Sequence, residues 1–163
     1  MKLQIEITRQ DYMDFNIHHY IRTQLIKTII IGITCLAFVL FLTKKLSTNF
    51  SMSFSLGIII TYSVLYYIII YYSLYKTKNI PKENGSLLGP KAFDFAEDYI
   101  AYNDKDSNGQ YKWTAIKSIS ESKHALYLYI DSNMAIVIPK RSFDNENHIS
   151  SFRAYVREKI NLA

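Results

Sequence analysis

The sequence predicts an α+β membrane protein: a two-helix transmembrane hairpin joined to a small antiparallel β-rich domain that ends in a helix. Three observations predict it. Residues 25–42 and 54–75 are long apolar runs, the second without a charged side chain and the first with only Lys27, near its edge. At about 1.5 Å rise per residue, such runs cover roughly the thickness of a bilayer's hydrocarbon core. Beyond residue 91 the apolar period shortens to two, the spacing of half-buried strands. From residue 145 it lengthens again: Ile149, Phe152, Val156 and Ile160 fall on one helical face. The resulting division is 1–24 for an N-terminal strand and interfacial helix, 25–75 for the hairpin, 76–90 for a linker and 91–163 for the β-rich domain.

The first strand is expected at 2–8, where Leu3, Ile5 and Ile7 alternate with Lys2, Gln4, Glu6 and Thr8. Thr8, three residues before Asp11, is an N-cap signal for a helix starting at Arg9. That helix mixes Tyr12, Phe15, Tyr20 and Ile21 with polar residues, a composition suited to the headgroup region. The connection at 43–53 is short, so the two spans are antiparallel neighbours. Ser53, Gly57 and Thr61 recur at every fourth position, and Gly32 offers a small patch on the first span. In lipid, helices attract by close packing, so these four residues are candidates for the helix–helix contact. Tyr71, Tyr72 and Tyr75 sit where an interfacial aromatic belt belongs. Tyr62, Tyr66 and Tyr67 lie deeper, where a hydroxyl needs a partner, either across the hairpin or on Thr61 and Ser63.

Pro81, Gly85, Gly89 and Pro90 mark the linker. Strands then follow around Phe93 and Phe95, at 99–102, at 110–114 and 115–120 with Trp113, Ile116 and Ile119, at 126–130, and at 134–138 up to Pro139. Tight turns between them suggest a meander. The closing helix, about 145–160, is given Asp144 as its N-cap, with Arg153, Arg157 and Lys159 on its C-terminal turns, where the helix dipole favours positive charge. A run of strands and one amphipathic helix make a bent sheet or partial barrel plugged by that helix, with the 2–8 strand available to extend its edge.

Charge argues against nucleic acid. The chain carries +5 overall, but its first 87 residues hold nine basic and four acidic side chains while the remaining 76 hold ten of each. The excess therefore flanks the apolar runs, where it anchors helix ends at headgroups. Arg22, Lys27, Lys76, Lys78 and Lys82 lie at the outer ends of the spans against Lys44 and Lys45 in the connection, an asymmetry that places both termini in the cytoplasm. The single cysteine, Cys35, lies within the first span, so no intramolecular disulfide forms. The opening MKLQIEITRQDYMDF is polar and acidic, unlike a signal peptide.

No motif specifies a reaction. Asp104, Asp106 and Asn108 followed by Gly109 imitate the start of a calcium loop, but its twelfth position is Ala115 instead of a bidentate glutamate. A polar hairpin turn is expected. His18 and His19 are adjacent, point about 100° apart on a helix and lack companion ligands. Glu97 and Asp98 would face opposite sides of a strand, and are read as a turn. His124 and His148 are isolated surface residues. No metal, cofactor or catalytic set is expected. The sharpest string is Ile138-Pro139-Lys140-Arg141-Ser142-Phe143, where proline ends a strand, Phe143 staples the entry to the last helix, and Lys140 and Arg141 stand at a domain edge. Facing an anionic leaflet, such charges contribute about 1 kcal/mol each.

Three strings carry a family resemblance: Thr8-Arg-Gln-Asp11-Tyr12-Met-Asp-Phe15-Asn16 with His19; Leu88-Gly89-Pro90; and Trp113-Thr-Ala-Ile116 leading to Ile138-Pro139-Lys140-Arg141-Ser-Phe143. Together they resemble the YcxB-like family of small bacterial membrane proteins. The resemblance implies two membrane helices in the plasma membrane and a C-terminal domain of pleckstrin-homology-like fold, and it supplies no catalytic residue. The function expected is non-enzymatic: a cytoplasmic domain that binds a protein partner or lipid headgroups beside the bilayer, with Lys140, Arg141 and Trp113 as candidate contacts. The alternatives are a toxin- or bacteriocin-immunity protein, and an accessory subunit whose hairpin packs against a larger transporter. Partners are accordingly the bilayer and another membrane protein or a toxin, not nucleic acid.

Overall fold

Alternation decides the first element. In the computed structural model, which describes residues 1–46, 52–77, 79–82 and 85–162, Lys2–Ile7 forms strand β1 with Leu3, Ile5 and Ile7 buried and its other residues exposed. Its ladder partner is β2 (Gly89–Phe95), in antiparallel register with Leu3 opposite Phe93. Both apolar runs lie between these two strands in sequence.

Four antiparallel strands make the first sheet, in the order β1, β2, β3 (Tyr99–Asp104), β4 (Asn108–Lys112). Three make the second: β5 (Ser118–Glu121), β6 (Ala125–Asp131) and β7 (Met134–Pro139). The expected strand through 114 stops at Lys112, because Trp113–Ala115 forms a 3₁₀ turn that sends the indole inward. A second 3₁₀ turn, Lys140–Ser142, follows β7. The chain closes with a helix at Glu146–Leu162, which is labelled α4 because three helices precede it.

The shared core holds Leu3, Ile5, Phe93, Phe95, Ile100, Leu126, Leu128 and Ile138, with Ile149, Phe152 and Val156 of α4 packed into it. The Phe152 ring meets Phe95 edge-on at 4.8 Å. Burying side chains of this size stabilises the fold by about 1.5–3 kcal/mol each. The cap of α4 differs from expectation by one residue. Asn145 Oδ1 accepts the His148 N–H at 2.9 Å, while Asp144 turns to the His148 ring at 3.4 Å. An amide oxygen at the first non-helical position reaches the N3 donor directly.

The chain divides into two units. Met1–Phe15 and Lys78–Ala163 form the sheet unit, and Asn16–Thr77 form the helical unit. Helix α1 (Arg9–Thr23) crosses the boundary and is followed by α2 (Leu25–Leu46) and α3 (Met52–Thr77). Both α2 and α3 are long and apolar enough to cross a membrane. Lys78, Glu83, Ala163 and residues 47–51 of the connection between the spans lie outside the described residues.

Within the helical unit, tyrosine makes the seam. Tyr62 donates to the Gly32 carbonyl at 3.2 Å and Tyr66 to the Thr28 carbonyl at 2.5 Å. That reversed pairing makes α2 and α3 antiparallel. Gly32 is buried there, and a Cβ on it would lie 3.0 Å from the Tyr66 ring. Ser53, Gly57 and Thr61 are off the seam: all three are exposed, and a Cβ on Gly57 would meet nothing within 4 Å. The α2–α3 seam is thus made by Gly32, Tyr62 and Tyr66 and not by these three. Hydroxyls flanked by apolar residues need acceptors, and that requirement outweighs the packing available to small residues.

Candidate functional site

Two sequence strings 130 residues apart converge on one carboxylate. Thr8 caps α1 reciprocally: its Oγ1 accepts the Asp11 N–H at 3.3 Å, while Asp11 Oδ2 accepts both the Thr8 N–H and the Thr8 hydroxyl at 2.7 Å. This is a capping box with aspartate in the acidic position. From the 3₁₀ turn after β7, Arg141 donates Nη1 to Asp11 Oδ1 at 2.6 Å and Nη2 to Oδ2 at 2.5 Å. The same Nη2 reaches the Glu6 carbonyl at 2.7 Å. Pro139 ends the strand and holds φ at −62°, which starts the turn that aims Arg141.

The electrostatics follow from burial. Asp11 is 3% exposed whereas the Arg141 side chain is 51% exposed. Burial raises the Asp11 carboxyl; the guanidinium of Arg141 and the hydroxyl and N–H of Thr8 outweigh it, leaving the group below the usual carboxylate range. One turn after Asp11, Phe15 packs on the side of β6 opposite the main core. Its ring centroid lies 5.6 Å from that of Tyr127 and 6.2 Å from that of Tyr129. Ala125 completes this second cluster. Residues 125–129 of β6 are consequently buried on both faces, a pattern that alternation alone does not predict.

Lys140 is also turned inward. Its Nζ lies 2.6 Å from Glu121 Oε1, and Arg153 Nη1 lies 2.7 Å from Glu121 Oε2, so one carboxylate of β5 ties the 3₁₀ turn to α4. The Lys140 ammonium, helped by Arg153 and opposed by burial, holds Glu121 below the ordinary carboxylate range.

Residues 95–156 match the family model described as YcxB-like protein. That stretch is similar to the YcxB-like family. No curated protein and no solved structure matches the chain. The match runs from the end of β2 into α4 and includes Arg141, but not Asp11, Phe15 or β1. The first fifteen residues thus belong to the same compact unit as the matched stretch, from outside it.

The structure places the three candidate contacts, Lys140, Arg141 and Trp113, as follows. Trp113 is 4% exposed, with its indole N–H on the Ala96 carbonyl at 3.1 Å and its ring edge-on to Tyr155 at 5.8 Å. It is a core residue of the YcxB-like domain. Lys140 shares Glu121 with Arg153, and Arg141 pairs with Asp11, so both are engaged within the domain. The structure brings Lys140 and Arg141 to one turn and leaves Trp113 apart from them. Asp104 accepts the N–H groups of Asp106 and Ser107 at 2.9 and 2.8 Å and the Lys91 ammonium at 3.1 Å. The Asp106 N–H first, then the Lys91 ammonium and the Ser107 N–H, hold it at about 2. The loop's leading carboxylate is thus engaged by its own hairpin and by β2. Among the described residues no group of three or more His, Cys, Asp or Glu is placed to hold a metal ion.

Sequence reasoning missed Asp11 and Phe15 as partners of the C-terminal string. A signal was present: a capping pair followed by an aromatic four residues later lies within the first string that carries the resemblance.

Proposed function

We propose that the protein is a non-enzymatic, multi-pass plasma-membrane protein whose cytoplasmic domain, pleckstrin-homology-like in build, binds a protein partner beside the bilayer. The observation that carries this reading is the exposure of α2 and α3. Ile26 is 72% exposed and Ile69 65%, within two helices whose outward surfaces are apolar along their length. An apolar surface of that extent is unstable in water and natural in lipid. The pleckstrin-homology-like reading is supported by the order of four strands, three strands and a closing helix. The cytoplasmic orientation rests on the excess of basic residues at the outer ends of the spans.

Protein is favoured over lipid headgroups because the basic pair that a headgroup-binding edge would use is already engaged by Glu121 and Asp11. Residues 88–163 also carry no net charge, so electrostatic attraction to an anionic leaflet is weak. A photo-crosslinking residue placed at Tyr99 or Met134, which are 42% and 55% exposed, tests the choice in living cells. A discrete protein adduct at either position is the expected outcome. Lipid adducts alone at both would overturn the protein-partner reading in favour of headgroups.

A second reading, an accessory subunit of a larger membrane complex, is favoured by the exposed Ser53, Gly57 and Thr61. Small residues at every fourth position outside the hairpin seam suit close approach of a further helix in lipid.

A further inference from the structure

We propose that the first two turns of α1 are a detachable helical ligand of the YcxB-like domain, with Arg141 receiving the Asp11 carboxylate and the Tyr127–Tyr129 face receiving Phe15 one turn later. Ligand and seat both belong to the sheet unit, so the inference stands apart from the membrane reading above.

The contact has the anatomy of recognition. One side is a short helical segment with a fixed start, the Thr8–Asp11 cap, and two anchors at i and i+4, which share a helix face. The other side is a guanidinium in bidentate geometry, the arrangement that discriminates a carboxylate, beside two aromatic rings on a rigid strand. Arg9 adds one bond, from Nη1 to the Pro81 carbonyl at 2.8 Å. The seat is preformed by elements that do not need the ligand: β6 lies centrally between β5 and β7, and the turn that carries Arg141 is also held by the Lys140–Glu121 pair.

Three features favour reversibility. Among the described residues α1 makes no extended backbone approach to any strand. Of the hydrophobic residues in the 9–15 segment, Phe15 is the one that is buried. Arg141 is half exposed, so it can rehydrate when the carboxylate leaves. Departure of the segment would bare Ala125, Tyr127 and Tyr129 and free the guanidinium, opening a site for a helix with an acid and an aromatic at the same spacing. A second copy of this chain carries such a helix.

The test uses the full chain in lipid nanodiscs and an acetylated peptide of residues 8–20. In the wild-type protein, amides of residues 9–15 should exchange with solvent at least about tenfold faster than those of residues 149–156 in α4, through local opening. Equal rates would mean that the segment leaves only when the domain unfolds, and would overturn the proposal. In the double variant Asp11→Asn, Phe15→Ala, which empties the seat, the peptide should bind saturably, and more weakly by about tenfold or more when it carries the same two substitutions. Adding Arg141→Glu to the protein should abolish binding. A double variant whose α4 amides stay protected but which ignores the peptide would contradict the assignment.

Discussion

Asp11 is buried and ionised, and its stability contribution depends on one guanidinium and one capping threonine. Removing Arg141 would leave that carboxylate uncompensated, while removing Asp11 would leave an arginine that water can reach. Arg141→Ala is therefore expected to be the costlier change. Breaking a buried pair costs about 3–5 kcal/mol, and the exposure of Arg141 places this one near about 3. Chemical denaturation of the detergent-solubilised protein, followed through the single tryptophan, measures the difference. The pH dependence has a definite sign. The folded-state value of Asp11 is lowered, so its contribution is fully present above the unfolded carboxylate value of about 4 and is lost as pH falls through the lower folded value. Asp104, held at about 2, loses its own contribution over the interval between about 4 and 2. Asp11→Asn should reduce stability at neutral pH and flatten the decline on acidification. An unchanged acid profile would show that Asp11 is not held below its ordinary value.

Between elements, the hairpin seam is the clearest contrast between what sequence displays and what packing selects. A stripe at Ser53, Gly57 and Thr61 is visible because its period is regular. The tyrosine–carbonyl bonds that set the seam are not visible, because Tyr62 and Tyr66 could equally have used Thr61 or Ser63. Gly32→Val should force the Tyr66 ring from its place and cost about 1–3 kcal/mol by overpacking, whereas Gly57→Ala should be nearly neutral. Thermal unfolding in one detergent compares the two, and equal losses would return Gly57 to the seam. The strands were legible wherever one face is buried, as in β1, where alternation alone placed Leu3, Ile5 and Ile7 inside. Alternation failed at β6, because Phe15 of α1 covers the face that would otherwise be polar. It failed again at Trp113, whose bulk is accommodated by a turn. The last helix was found from its apolar face, but its cap was displaced by one residue, since Asp144 and Asn145 both satisfy the local rule. Lys140 and Arg141 were visible as charges, and only the folded chain shows that Glu121 and Asp11 already face them.

At the scale of the molecule, the order of elements is the unusual feature. The two apolar helices are an insertion between the first and second strands of a single sheet, so the YcxB-like domain receives the chain on both sides of the hairpin. Because β1 pairs with β2, both ends of the α2–α3 pair return to one sheet, as a hairpin with an even number of membrane crossings would require. One native side chain tests the placement in lipid. Cys35, midway along α2, is exposed in the structure, so a water-soluble fold would leave it reactive and a bilayer would cover it. In undisrupted native membranes it should resist a membrane-impermeant maleimide and label fully once detergent and denaturant are added. Labelling at the rate of a free thiol before any disruption would contradict the membrane hairpin and the account built on it.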